Sequence, residues 1–123
     1  MDIPTPSYYR GASPKGRPFL QELLGEVTLQ QGFFDDDLFS AAERFIPGLE
    51  GDAMLFNACK HFWRCDADPE HPLADELKAA RKYLLKGLKL RDKWWFPLAR
   101  VVVRKIAKKR IKKTLKAIAE TID

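Results

Sequence analysis

The chain has 123 residues, 46% of them hydrophobic and 32% charged, with a formal net charge of +5. That size and balance fit one globular domain with a modest core and exclude an intrinsically disordered chain. Two cysteines exclude a disulfide framework, and no apolar run approaches the roughly 20 residues of a membrane-spanning helix.

Residues 1–18, MDIPTPSYYRGASPKGRP, carry four prolines and two glycines, which predicts an extended arm, either pinned by Tyr8 and Tyr9 to the surface or to a partner, or simply a frayed terminus. Met1 is followed by neither a basic start nor an apolar stretch. A cytoplasmic, reducing location is expected, with both thiols free and a membrane surface as the alternative. From Phe19 to about Gln31, Leu20, Leu23, Leu24 and Val27 recur at helical steps. In GFFDDDLFSAAERFIPG, Asp35–Asp37 supply a helix cap, Leu38, Ala42 and Phe45 form a face, and Pro47-Gly48 ends the helix. A third helix is predicted from Asp52 to near Cys65, with Leu55, Ala58, Cys59 and Phe62 as its buried stripe. After the loop DADPEHP, a fourth runs from Leu73 to about Arg91 on the seam Leu73, Leu77, Ala80, Leu84 and Leu88. DKWWFP breaks it, and a last helix is predicted from Pro97 to about Ile122.

These elements predict an all-α fold. It is a small bundle of four to five helices with an extended Pro/Gly-rich N-terminal arm and a long basic C-terminal amphipathic helix. Residues 1–18 form the arm, 19–91 an acidic helical bundle, and 92–123 a hinge and the basic helix, all within one domain.

Charge is distributed unevenly along that plan. Residues 1–76 hold 6 Lys/Arg against 14 Asp/Glu, whereas residues 77–123 hold 16 against 3. The stretch RKIAKKRIKK, Arg104 to Lys113, has seven basic residues in ten and no acid. On one continuous helix, Val103, Ala107, Ile111, Leu115, Ile118 and Ile122 share a stripe. Lys105, Lys108, Lys109, Lys112, Lys113 and Lys116 share the opposite arc, with Arg104 at its start. Like charges four apart on this arc cost about 1–2.5 kcal/mol in total before salt screening. An anion on the arc would relieve that repulsion.

Three readings compete. In the first, the lysine arc tracks the phosphates of nucleic acid. In the second, the helix lies on an anionic membrane, anchored by Trp94, Trp95 and Phe96. In the third, the stripe packs on the bundle and the lysines meet the acidic surface of a protein partner or a second copy. No small-molecule substrate is inferred.

CKHFWRCDADPEH gathers both cysteines and both histidines, so Cys59, His61, Cys65 and His71 are the candidate ligands of a metal reading. Cys59 lies well over 90° from His61 on one helix, and the spacing fits no common zinc module. His61 with Cys65 is the candidate pair of an enzyme reading, without a recognisable oxyanion hole or orienting acid. Neither a metal nor a cofactor is assigned. Trp63 falls off the buried stripe beside Arg64, which makes the two a candidate contact patch for a partner. The expected function is that of a non-enzymatic binding or adaptor protein acting through its lysine-rich helix. A membrane-surface protein and a small Cys/His enzyme or metal protein stand as alternatives.

Overall fold

Aspartates write two of the helix starts. Asp37 accepts from the Ser40 amide at 2.8 Å and from the Ser40 hydroxyl at 3.0 Å, opening α2 (Leu38–Phe45). Asp52 accepts from the Leu55 amide at 3.1 Å and opens α3 (Ala53–Arg64). The computed structural model describes residues 10–93 and 106–123. The remaining helices are α1 (Arg17–Leu24), α4 (Leu73–Arg91) and α5 (Lys108–Ile122), with 3-10 turns at Gly25–Leu29 and Leu49–Gly51. Among the described residues there is no strand, and the fold is an all-α bundle.

Helix α3 occupies the middle. It packs on α1, α2 and α4, while α5 closes over α1 and α4 on another side. Leu20 and Leu23 of α1, Leu55 and Phe62 of α3, Leu77 and Leu84 of α4, and Ile111 and Ile118 of α5 are all fully buried. Phe19 stacks on Phe62 with ring centroids 5.4 Å apart. Helices α4 and α5 run antiparallel, as two ion pairs at opposite ends of α5 require: Arg81–Asp123 at 3.2 Å and Lys108–Asp92 at 2.7 Å.

The bounds of α4 coincide with the apolar seam read from the sequence, and α2 and α3 agree with theirs to within a residue at each end. Three expectations need correction. The first helix does not continue to Gln31, because Gly25 takes φ +79° and turns the chain into a 3-10 segment. A side chain there would also strike the Arg110 guanidinium, 2.7 Å from the position of a Cβ.

The predicted arm also ends early. Helix α1 already starts at Arg17, and residues 10–16 are tied across the end of α3. The Ser13 amide donates to the Trp63 carbonyl at 2.9 Å, and the Trp63 indole donates to the Arg10 carbonyl at 2.6 Å. The first bond satisfies a terminal carbonyl of α3 that its own helix leaves open, and the second ties the Arg10 carbonyl to the Trp63 ring. Tyr8 and Tyr9 lie outside the described residues.

The third correction concerns the basic helix. It does not extend unbroken from Pro97, since Ala107 is extended (φ −68°, ψ 158°) and α5 starts only at Lys108. Arg91 anchors this entry. Its Nε donates to the Ile106 carbonyl at 3.0 Å, its NH1 donates to the Gly87 carbonyl at 3.2 Å, and its NH2 lies 3.5 Å from Asp52 Oδ2. Ile106 is buried beneath, so the chain is held extended where a longer helix would carry it away from the core.

Candidate polyanion-binding face and the Glu76 cluster

Burial of Ile111, Thr114 and Ile118 fixes the orientation of α5. The side turned outward carries Lys108, Lys109, Lys112, Lys113 and Lys116, all exposed. Lys108 is matched by Asp92, whose carboxyl is held below the usual range by that ammonium group. Among the described residues, Lys109, Lys112, Lys113 and Lys116 form no ion pair. Glu22 and Glu120 share a shallow cleft of about 230 Å³ with Lys113 and Lys116 without reaching either in an ion pair. Arg110 points elsewhere: it lies over Gly25 and donates to the Glu22 carbonyl at 3.4 Å, closing the end of α1. Arg104 and Lys105, together with Trp94, Trp95 and Phe96, lie outside the described residues.

A second basic row, on α4, was not singled out from the sequence. Lys78, Lys82, Lys86 and Lys89 are exposed and fall within about 80° of arc, opposite the buried Leu77, Ala80 and Leu84. The α5 side of α4 is marked by Arg81 and Asp92, which neighbour this row on the helix surface. Lys112 lies close enough to Asp92 to help lower its pKa. By the helix wheel, Lys78 and Lys89 border the α4–α5 seam, while Lys82 and Lys86 also lie over the Tyr83 ring, at 6.0 and 5.8 Å. The signal was present in the sequence as lysines at steps of four, four and three. It was hidden because the seam Leu77–Leu84–Leu88 already accounted for the helix.

The exposed acids Asp35, Asp36, Glu43 and Glu50 gather around α2, which packs on α3 rather than on α5. Other exposed acids are spread over the molecule, among them Asp75, Asp92 and Glu120 on or beside α4 and α5.

The cysteine–histidine stretch resolves differently from a ligand set. His61 and His71 both hydrogen-bond through Nδ1 to the carboxylate of Glu76, His71 at 2.9 Å. Arg64 Nε donates to the same carboxylate at 3.1 Å. A carboxylate only accepts, so each imidazole donates from Nδ1. Burial raises the Glu76 pKa, but bonds from His61 and Arg64 outweigh it and leave the carboxyl below its ordinary range. His61 is pushed down by burial, which outweighs the pull of Glu76, and its ring stacks on Tyr83 at 5.6 Å. Glu76, buried at 6% exposure, was read in the sequence only as a first-turn acid suited to the helix dipole.

The cysteines do not join this cluster. Cys59 is enclosed in the core, and Cys65 Sγ donates to the Phe62 carbonyl at 3.3 Å. Burial pushes both thiols up to about 12, so neither supplies a thiolate near neutrality. The candidate set Cys59, His61, Cys65 and His71 therefore does not converge. Among the described residues the one close group of three metal-type ligands is Asp68, Glu70 and His71, on the loop before α4.

Trp63 is not an exposed contact residue. It is fully buried, packed between the rings of Phe33 at 5.9 Å and Phe34 at 6.1 Å, and Arg64 beside it is engaged by Glu76. The reason is the central position of α3, which needs a second apolar face for the neighbours on its other side.

Comparison with family models, curated proteins and solved structures finds no match. No helix among the described residues is long and apolar enough to cross a membrane.

Proposed function

We propose that this is a non-enzymatic binding protein whose basic helix α5 contacts the phosphate backbone of nucleic acid. The observation that carries this reading is the group Lys109, Lys112, Lys113 and Lys116, exposed on one side of α5 with no ion-pair partner among the described residues. Lysines are compact point charges on flexible stems, suited to backbone phosphates rather than to base edges. A bilayer ligand is less well supported, because Ile111 and Ile118, which would have to enter the lipid, are fully buried within the bundle.

The test is fluorescence anisotropy of labelled duplex DNA and RNA with the full chain and its K109Q/K112Q/K113Q/K116Q variant. Affinity is expected to fall at least about tenfold in the variant, while helicity by circular dichroism stays equal or rises. Binding undiminished by the four substitutions overturns the proposal.

A further inference from the structure

The outer surface formed jointly by α4 and α5 narrows the ligand class. From these two helices we infer that the nucleic acid is double-stranded, and that it is held by both lysine rows at once, irrespective of base sequence. This rests on the phosphate-binding reading and goes beyond it in naming the duplex form and a second set of contacts.

Size comes first. Lys78 to Lys89 on α4 span about 17 Å at 1.5 Å per residue. Two helices side by side, each about 10 Å across, make a face about 20 Å wide. A major groove is about 12 Å wide, so the pair cannot enter it. The face lies instead across the groove, with one lysine row toward each flanking backbone. Its length covers about five base pairs at 3.4 Å per pair. A surface kept out of the groove reads no base edges, so affinity should not depend on sequence.

Aromatic chemistry among the described residues points the same way, Trp94, Trp95 and Phe96 lying outside them. Single-strand binders offer exposed rings on which bases stack. Among the described residues the exposed large apolar side chains are Leu29 and Leu85, and neither is aromatic. Tyr83, on α4 itself, is half-buried against His61.

The ends of the face are fixed as well. Arg81–Asp123 and Lys108–Asp92 join α4 to the two ends of α5, and the packing of Leu84 and Ile118 in the common core holds the helices side by side. A rigid pair of cationic rows suits a stiff duplex better than a flexible strand.

The experiment uses the full chain with two short duplexes of unrelated sequence, the matching single strand, and phosphatidylcholine–phosphatidylserine vesicles. Each is titrated at about 50 and about 200 mM salt. The variants are K78Q/K82Q/K86Q/K89Q and its charge-preserving counterpart K78R/K82R/K86R/K89R. Both duplexes should bind equally within about twofold and more tightly than the strand. Loss of the α4 charges should weaken duplex binding at least about tenfold and flatten the plot of log K against log salt by about 2–4. The arginine variant should bind like the parent, which separates lost charge from lost fold. Parental binding by the glutamine variant, equal or tighter binding of the single strand, or unequal duplexes would overturn the two-row inference and leave the α5 reading standing. No binding to any nucleic acid at the lower salt, or binding to vesicles alone, would remove both.

Discussion

Glu76 meets His61, His71 and Arg64, bringing the end of α3 and the loop after it onto the first turn of α4. Removing its charge leaves three donors facing a neutral amide. Glu76→Gln is expected to cost about 2–3 kcal/mol, measured as a lowered urea midpoint; a change below about 0.5 kcal/mol would show that the cluster is not structural. The same residues set the response to acid. His61 titrates below its ordinary 6.5 in the folded chain and Glu76 below its ordinary 4.5, so the unfolded chain binds protons more readily at both. Their contribution is complete above those ordinary values and is lost as pH falls through the lower folded ones. Melting temperature should therefore fall as pH drops below 6.5, and more steeply below 4.5, by scanning calorimetry. A profile flat between those two values would contradict the assigned direction for His61. Gly16 is a purely steric case: a Cβ there would sit 1.7 Å from the Phe62 carbonyl oxygen, closer than any relaxation of one side chain can relieve.

At the level of elements, the ends of helices carry the long-range ties. Arg91 connects the cap of α3, the last turn of α4 and the entry to α5 through Asp52, Gly87 and Ile106. Burial lowers its pKa against the opposing pull of Asp52, yet an arginine keeps its charge at any ordinary pH. Arg91→Ala leaves the buried Asp52 without that cation and should cost about 3 kcal/mol in chemical denaturation. It should also speed amide exchange in α5 more than in α2; equal acceleration in both would argue against a role in docking α5. Loss of the α2 cap in Asp37→Ala should cost about 1 kcal/mol in chemical denaturation, because one carboxylate there satisfies both the amide and the hydroxyl of Ser40.

Across the whole molecule, rows of like charge lie on the exposed sides of both α4 and α5, where lysines far outnumber the exposed acids Asp75, Asp92 and Glu120. That arrangement favours an outside anion at the expense of the free protein. Salt should therefore stabilise the unliganded chain by screening the lysines, raising its melting temperature by a few degrees between low and moderate ionic strength. The K109Q/K112Q/K113Q/K116Q variant should show a smaller rise; an equal rise would mean that the lysine surface is not the source. Much of this molecule was legible along the chain. The Leu73–Leu88 seam, the aspartate cap before Leu38, the Leu55–Phe62 stripe and the Pro47-Gly48 stop gave α2, α3 and α4, because each depends on neighbours within one or two turns. The basic character of α5 was legible for the same reason. The buried state of Trp63 was not, since a helix wheel shows which face is most apolar but not how many neighbours a central helix acquires.

What the sequence determined by itself was therefore local: helical class, most helix bounds, and the crowding of cations after residue 76. Tertiary structure alone decided that Glu76 would gather both histidines, that Arg91 would hold Ala107 out of the helix, and that a lysine row on α4 would lie beside the one on α5. The physical reason is range. Capping, periodicity and dipole effects act within a helical turn and leave their mark in spacing. Buried ion pairs and shared surfaces depend on how helices cross, and His61 lies 15 residues from Glu76, as Ile106 does from Arg91, with no periodic signature linking them.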